Sequence, residues 1–273
     1  EIREEGPEPD LASLVGLDET RRADFLLRSI KIPADRAFFE GNGFSSYRSY
    51  GQLAATRAAL CIEEGSTLIG VLPTGAGKTD VAITVIKDAF ELGRTSVIVV
   101  PTTALVFDME RRFRKVISEV WGYSGVEDIP LGWHAETSEE DRQTISSNIQ
   151  MGQQPVLITS PEAIARARVK DSLMNAAKSG LVGWFVVDEA HMIIEWGSDF
   201  RMEFSELGLF ATQLVKEAKM AGVRQCRVLL LSATLSTQQI HQLKRDFAGI
   251  SPVRLVASNH FRREPEIWIA PLS

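Results

Sequence analysis

Cysteine is scarce in this sequence, which narrows the chemistry that the chain can support. Its two cysteines, Cys61 and Cys226, lie far apart and do not have the close spacing of metal ligands. The sequence therefore fits neither a disulfide framework nor a cysteine-rich zinc site. We expect both cysteines to be small core residues of a reduced, cytoplasmic protein.

Long apolar runs and an excess of basic charge are also absent. No apolar run approaches the length of a membrane span, and no N-terminal signal pattern is present, so we expect no membrane partner. The formal net charge of −6 is opposite in sign to the basic balance that is usual for nucleic-acid-binding domains. A protein with a negative net charge can still have a local basic surface. The composition therefore does not decide whether the partner is a nucleic acid.

The apolar residues occur in short, continuous runs that alternate with helical segments. These runs predict strands at residues 67–71, 96–100, 129–133, 156–159, 184–187, 228–231 and 253–256. Strands that are apolar throughout are typical of a parallel sheet covered on both faces. The sequence therefore predicts an α/β fold with a mostly parallel sheet and helices on both sides. Ligands of such sheets bind at the carboxyl ends of the strands.

The segments outside the strands predict helices and loops. A short amphipathic helix is expected at residues 18–30, after an acidic lead-in, and a loop at residues 40–43. Ser138, three residues before Asp141, has the pattern of a helix cap. A further helix at residues 51–64 is expected to bury one apolar face, formed by Leu53, Ala54, Leu60 and Cys61.

A glycine-rich turn follows the first predicted strand and leads into a helix. The backbone N–H groups of such a turn, together with the helix N-terminus, bind phosphate. Lys78 can then reach the β- and γ-phosphates, and the Thr79 hydroxyl can ligate Mg²⁺. The strict pattern begins with glycine, where this sequence has Leu72. The alternative is an ordinary turn with one exposed lysine. Because strand, turn and helix occur in register, we predict a nucleoside triphosphate site that contains Pro73, Thr74, Gly75, Ala76, Gly77, Lys78 and Thr79.

Two adjacent carboxylates follow another predicted strand. Asp188 and Glu189 come directly after the apolar run at residues 184–187. A carboxylate at a strand end can hold Mg²⁺, and its neighbour can deprotonate the attacking water. Such a pair is common surface chemistry when it stands alone. Beside a phosphate-binding loop, it predicts Asp188 as a metal ligand and Glu189 as a catalytic base that acts with Lys78.

In chain order, these segments resemble the first motor domain of superfamily 2 helicases of the DEAH-box type. The segments similar to motifs I, Ia, Ib, II and III are residues 73–79, 101–105, 159–162, 188–191 and 232–234. The resemblance covers residues 45–270 and implies a RecA-like P-loop NTPase domain that uses ATP and Mg²⁺. It implies that Thr102 and Thr159 line a nucleic-acid track. His191, part of the nucleotide site, is expected to hydrogen-bond toward motif III.

A run after motif II is similar to the aromatic-rich loop of the RecQ family, which senses single-stranded DNA. In this sequence Trp196 and Phe200 offer faces for base stacking, and Arg201 offers charge for phosphate. The alternative is that both aromatic side chains fill the core. Basic residues at 111–115 are either a solvated helix face or a contact with the nucleic-acid backbone.

Upstream of the phosphate loop, residues 47–52 resemble the RecQ motif that contacts adenine. Among RecQ-like helicases they are similar to the DpdF subgroup of bacterial DNA-modification gene clusters. The resemblance implies nucleotide contacts from Tyr47, Arg48 and Gln52. The Gln52 amide can donate and accept at once, which suits an adenine edge. Either Tyr47 or Tyr50 is expected to stack on the base.

Taken whole, the resemblance implies the ATPase half of a 3′-to-5′ DNA helicase whose partners are single-stranded and duplex DNA. We expect a lead-in with an accessory helix at residues 1–44, the motor domain at 45–257, and a crossover with the first strand of a missing second motor domain at 258–273. That second domain would belong to the same longer chain. We expect a monomer that is poorly active as an isolated domain. The alternatives are an RNA helicase motor and a non-hydrolysing ATP-binding interaction module.

Overall fold

The computed structural model describes residues 2–3, 32–164, 167–192, 202–247 and 252–258 of the chain. Three predicted features lie outside these residues. They are the helix at 18–30, the aromatic loop that contains Trp196, Phe200 and Arg201, and the opening strand of a second motor domain.

Parallel strands form the centre of the fold. The strands of the described residues are β1 (Ile2–Arg3), β2 (Ile32–Pro33), β3 (Ser46–Tyr47), β4 (Thr67–Val71), β5 (Thr95–Val99), β6 (Gly132–Trp133), β7 (Val156–Thr159), β8 (Val182–Val187), β9 (Arg227–Ser232) and β10 (Val253–Ala257). Eight of them form one sheet in the order β1-β10-β4-β9-β8-β5-β7-β6, and every neighbouring pair is parallel. β2 and β3 form a separate antiparallel pair. The predicted parallel sheet is confirmed, although the run at 129–133 contributes only Gly132 and Trp133.

Helices cover both faces of the sheet. They are α1 (Arg36–Asn42), α2 (Tyr50–Cys61), α3 (Lys78–Glu91), α4 (Thr103–Glu119), α5 (Glu139–Met151), α6 (Pro161–Ile164), α7 (Ala167–Lys178), α8 (Met202–Met220) and α9 (Thr237–Asp246). A 3-10 helix spans Ser124–Asp128. The predicted cap is present, because the Ser138 side chain accepts from the backbone N–H of Asp141. No helix in the described part of the chain is long and apolar enough to cross a membrane.

The two faces of the sheet bury two separate apolar cores. Helices α2, α3 and α4 pack on one face, and helices α5, α7, α8 and α9 pack on the other. All five residues of β4 and all six of β8 are buried, which explains why these strands are apolar throughout. The sheet is therefore a central layer, and its carboxyl edge remains accessible for a site.

The segment expected to be a loop at residues 40–43 is largely helical. Asp35 caps the start of α1 by accepting from the N–H of Phe38, and Gly43, at φ 74°, ends it. Gly41 lies inside the helix, where an added Cβ would be 3.0 Å from the Cα of Thr84 on α3. The loop prediction was wrong because this glycine allows close helix packing instead of a turn. Residues 36–42 thus pack on α3, although the expected boundary placed them in the lead-in.

The buried face of α2 also differs from the expectation. Small residues, chiefly Ala55 and Ala59, are fully buried against α3, whereas Leu53 and Leu60 are only partly buried. Cys61 is exposed, and it is not the core residue that we expected. Cys226 is buried, as expected. Alanines bring the two helices closer than leucines would, so the larger side chains lie at the edge of the contact.

A buried arginine ties together the loops at the amino ends of the strands. Arg94 is 3% exposed and donates to the backbone carbonyls of Gly180 at 3.0 Å, Val182 at 2.7 Å and Gln225 at 2.9 Å. Its Nη1 lies 3.7 Å from the carboxylate of Glu64. These partners come from three separate segments, so one side chain joins the loops before β4, β8 and β9.

We therefore predict that Arg94→Met lowers the free energy of unfolding by about 3 kcal/mol, because it leaves buried carbonyl groups without a donor. Arg111→Met is the matched control, since Arg111 is 81% exposed and pairs only with exposed Asp108; it should cost less than about 1 kcal/mol. Urea unfolding measures both values. Equal stabilities for the two variants would contradict this role of Arg94.

Candidate active site

The phosphate-binding loop lies between β4 and α3, at the carboxyl edge of the sheet. Gly75 and Gly77 have φ values of 83° and 87°, in the left-handed region that favours glycine. Gly77 is the N-cap of α3, and no side chain caps the helix there. Leu72 is fully buried and donates its N–H to the carbonyl of Ser232. The N-terminus of α3 is therefore left without a side-chain cap, and backbone N–H groups at such a terminus can bind phosphate.

The loop lysine meets the paired acids. The Lys78 ammonium lies 3.8 Å from Oε1 of Glu189, and its side chain is 9% exposed. Asp188 follows β8, and its backbone N–H donates to the carbonyl of Val99 at 2.9 Å. Groups from two strands that are separated by β9 thus converge within the reach of one nucleotide. This is the arrangement that the sequence predicted for Lys78, Asp188 and Glu189.

The two acids differ in their electrostatics. Burial and the adjacent charge of Glu189 raise the pKa of Asp188 to about 6, although Lys78 acts in the opposite direction. Glu189 has a φ of 51°, which is unusual for a residue other than glycine. Its backbone N–H donates to Oδ1 of Asp188 at 3.0 Å. Backbone of this kind clusters at functional sites, and the Glu189 side chain that it carries lies 3.8 Å from Lys78.

His191 links these acids to the segment after β9. Its Nδ1 lies 3.1 Å from the hydroxyl of Ser232 and 3.4 Å from Oε2 of Glu189. The Ser232 hydroxyl donates to the carbonyl of Thr234 at 3.0 Å. Ser232 therefore accepts from His191, which places a proton on Nδ1. The expected contact between His191 and motif III is present.

Gln52 and Arg48 reach the phosphate loop, but they contact its backbone. The Arg48 guanidinium donates to the carbonyl of Gly75 at 3.2 Å. Gln52 is fully buried, and its amide donates to the carbonyl of Gly77 at 3.2 Å while accepting from the N–H of Arg48 at 2.7 Å. In this arrangement the Gln52 amide serves the protein itself. A contact with adenine would require it to exchange these partners, and it stays a prediction.

The expected stacking role of Tyr47 is not supported by its position. Tyr47 is 1% exposed, and its ring packs on that of Phe38 with centroids 4.1 Å apart. Tyr50 is partly buried against the same small cluster.

Phe44, which sequence reasoning missed, is 44% exposed and has the Arg48 guanidinium 6.0 Å from its ring centre. Because Arg48 also contacts the loop, the ring of Phe44 is the better candidate for stacking on a base. Its place in the glycine-flanked turn before Ser46 was the available signal.

A second residue missed by sequence reasoning is Asp80. It follows Thr79 in the first turn of α3, and its side chain is fully buried. Burial raises the pKa of Asp80, while Arg112 and Arg48 act in the opposite direction. An acid in the first turn of a helix is ordinary in sequence terms. Nothing local showed that this one would be enclosed.

The predicted nucleic-acid residues divide into exposed and buried ones. Thr102 is exposed at the carboxyl edge, where its hydroxyl caps α4. Thr159 is fully buried, and its hydroxyl donates to the carbonyl of Trp133 at 3.0 Å. The assignment of Thr159 to a nucleic-acid contact was therefore wrong, because its one donor is already used inside the protein. On α4, Arg111 and Lys115 are the basic side chains that face solvent.

The residues at the loop fit a magnesium–nucleotide complex. Thr79 lies in the first turn of α3, and Asp188 follows β8 at the same edge of the sheet, where the charge of Lys78 acts on it. Among the described residues there is no cluster of three or more metal-ligating side chains. Magnesium at nucleotide sites is usually held by phosphates and only one or two protein groups, so this small set suffices.

The fold and the site together define a P-loop NTPase domain of RecA-like architecture. The profile of the DEAD/DEAH box helicase family matches residues 50–243, and the chain belongs to this family.

Similar proteins carry helicase names. The chain is 25% identical over 199 residues to the ATP-dependent DNA helicase Q5 of Mus musculus, a match that covers 72% of the chain and 18% of the relative. It is 28% identical over 200 residues to the ATP-dependent DNA helicase Q-like 5 of Arabidopsis thaliana, covering 72% and 20%. The structure of the DUF1998 helicase MrfA bound to DNA and AMPPNP shares the fold, with a TM-score of 0.62, 20% identity, and coverage of 84% of this chain and 30% of MrfA. The chain thus spans less than a third of each of these proteins.

Phe44→Ala should weaken binding of a magnesium–ATP analogue about tenfold, because it removes a stacking face beside Arg48. Phe39→Ala is the matched control, since Phe39 is also an exposed phenylalanine, at 52%, but lies on α1. Fluorescence titration gives both dissociation constants. Unchanged affinity in Phe44→Ala would show that this ring does not face the base.

The raised pKa of Asp188 predicts a pH-dependent affinity for the magnesium–nucleotide complex. Only the ionised carboxylate ligates the metal, so its contribution is present above pH about 6 and is lost as the pH falls through that value. The affinity advantage of the unchanged chain over Asp188→Asn should therefore be larger at pH 8 than at pH 5. Calorimetry measures the affinity of both chains at each pH. Because the nucleotide titrates in the same way in both experiments, its contribution cancels in the comparison. An advantage of the same size at both pH values would contradict this assignment.

Proposed function

We propose that the chain is the ATP-hydrolysing motor domain of a RecQ-like 3′-to-5′ DNA helicase. In this role it couples ATP hydrolysis to translocation on single-stranded DNA and to unwinding of the duplex. The observation that carries the proposal is the approach of the Lys78 ammonium to the Glu189 carboxylate at 3.8 Å, beside the uncapped N-terminus of α3. Phosphoryl transfer to water needs one group that binds the phosphates and another that orients the attacking water, and these two side chains would supply them.

Each residue has a distinct role in the proposed reaction. Lys78 and the loop N–H groups bind the β- and γ-phosphates, while Thr79 and Asp188 hold Mg²⁺. A bound magnesium ion would neutralise charge that develops on the phosphates. Glu189 accepts a proton from the attacking water, and Lys78 keeps its carboxylate near the γ-phosphate. His191 lies between the other oxygen of Glu189 and the Ser232 hydroxyl, so it would couple the position of the base to the segment after β9.

DNA is the favoured substrate because the similar proteins described above are named DNA helicases. Thr102 supports a track at the carboxyl edge, since it is exposed beside the nucleotide site. Trp196, Phe200 and Arg201 are proposed to complete this track by stacking on bases and pairing with phosphate. The RNA helicase alternative predicts the same nucleotide chemistry and differs only in this track. The non-hydrolysing module is disfavoured because the residues needed for hydrolysis are all present, namely Lys78, Thr79, Asp188 and Glu189.

The proposal includes partners outside the described residues. A second RecA-like domain of a longer chain would supply an arginine that stabilises charge in the transition state. We propose a monomeric, cytoplasmic protein, in line with its two free cysteines. Membership of the DpdF subgroup stays a prediction from residues 47–52.

The proposal is tested by Glu189→Gln in the full-length protein. Removal of the base should lower kcat for ATP at least about 100-fold, while nucleotide affinity stays within about threefold. Single-stranded DNA should stimulate the unchanged protein more than RNA of the same sequence. Steady-state hydrolysis assays measure both effects.

Glu136→Gln serves as the control, because Glu136 is an exposed glutamate in the segment that follows β6. It should leave kcat unchanged. Hydrolysis that survives in Glu189→Gln would refute the assigned base, and stronger stimulation by RNA would favour the alternative substrate.

A further inference from the structure

One buried carboxylate in the nucleotide site has no part in the chemistry proposed above. Asp80 follows Thr79 directly, and its side chain is fully enclosed. The helix N-terminus favours a negative charge at this position. A carboxylate beside a triphosphate is nevertheless repelled by it, and a buried charge without partners is costly. The partners of Asp80 therefore show what this residue holds in place.

These partners come from two segments that are distant in the sequence. Oδ2 of Asp80 accepts from the Gln52 amide at 3.0 Å and lies 3.7 Å from Nε of Arg48. Oδ1 accepts from the guanidinium of Arg112, which lies on α4. The arginine side chains are 49% and 39% exposed, whereas that of Asp80 is 0% exposed. Asp80 is thus the buried centre of a network of hydrogen bonds and ion pairs, and the two arginines of this network are partly exposed at the surface.

The network supports the phosphate loop directly. Gln52 donates through one amide nitrogen both to Asp80 and to the carbonyl of Gly77. A Cβ added to Gly77 would collide with Nε2 of Gln52 and Oδ2 of Asp80. The side chains of Gln52 and Asp80 therefore form the surface on which Gly77 rests. A shift of Asp80 would move that surface and with it the N–H groups of the loop.

Arg112 differs from its neighbours on α4. Arg111 pairs with exposed Asp108, and Arg114 pairs with Glu110 on the same helix. Arg112 instead reaches across to Asp80 on α3. The helix that begins after Thr102 is therefore fastened to the phosphate loop by an ion pair.

We infer that Asp80 is a positioning residue of the nucleotide site and that Arg112 is the partner that keeps its carboxylate in place. Arg112 orients Asp80, Asp80 orients Gln52, and Gln52 holds the carbonyl of Gly77. Helix α4 thereby contributes to nucleotide affinity without touching the nucleotide. The inference rests on the proposed function, because it assumes that the loop binds a nucleotide. It adds a link from α4 to the loop that is separate from the contact between His191 and Ser232.

The test uses Arg112→Met, Asp80→Asn and the double variant of this chain. Each single change should weaken binding of a fluorescent ATP analogue with Mg²⁺ about tenfold, since each removes a charge-assisted hydrogen bond. The double variant should be no weaker than the weaker single variant, because the two residues act as a unit. Arg112→Lys, which retains the charge without the planar fork, should be intermediate.

Hydrogen exchange separates a local effect from general destabilisation. General destabilisation would speed exchange throughout the chain, whereas loss of the proposed contact should speed it mainly in the phosphate loop. In the nucleotide-free chain, Arg112→Met should speed exchange in the peptide that covers residues 73–79 and not in peptides from β7. Arg111→Met is the matched control, and it should change neither the affinity nor the exchange. Thermal unfolding confirms that affinities are compared between folded chains.

The outcomes separate this inference from the proposed function. Nucleotide binding that Lys78→Ala abolishes supports the proposed function, and unchanged affinity in Arg112→Met then overturns the inference alone. Multiplicative losses in the double variant also overturn it. If Asp80→Asn does not fold, Arg112→Met decides, because its side chain is partly exposed. Absence of nucleotide binding by the unchanged chain would overturn both.

Discussion

The ion pair between Lys78 and Glu189 is the contact on which the proposed nucleotide site depends. The Lys78 ammonium and the Glu189 carboxylate are 3.8 Å apart, with Lys78 largely buried. They come from segments after β4 and β8, which are separated in the sheet by β9. Because β4, β9 and β8 are parallel, both segments lie at the same edge of the sheet. A bound triphosphate would compete with Glu189 for the ammonium of Lys78.

The sheet and the convergence of Lys78 with Glu189 could be predicted from the sequence, because both depend on local patterns. Buried strands need continuous apolar runs, and a phosphate loop needs glycine and lysine at fixed spacing. Predictions failed where tertiary contacts decide the position of a side chain. Tyr47 is buried by packing on Phe38, and the donor of Thr159 is taken by Trp133, 26 residues earlier. No local pattern specifies such partners.

The net negative charge of the chain does not show where its arginines lie or what they bind. Several serve the interior, where a guanidinium can join several acceptors at once. Arg94 binds carbonyl groups from separate loops, and Arg114 binds Glu110 and the carbonyls of Val126 and Ile129. Counting basic residues along α4 therefore overstates the charge that is available to a nucleic acid. The net charge of −6 is equally uninformative about binding at one edge of the sheet.

The position of Arg94 has a mechanical consequence for the domain. The hydrogen bonds of one guanidinium fasten the loops at the amino ends of the central strands. Relative sliding of these strands would break several of those bonds together, so displacement there is resisted. The opposite rim carries the glycines of the phosphate loop and is held by different side chains, among them Arg112 and Asp80. The loops at the amino ends therefore form a base whose bracing does not depend on the contacts at the rim where ligands bind.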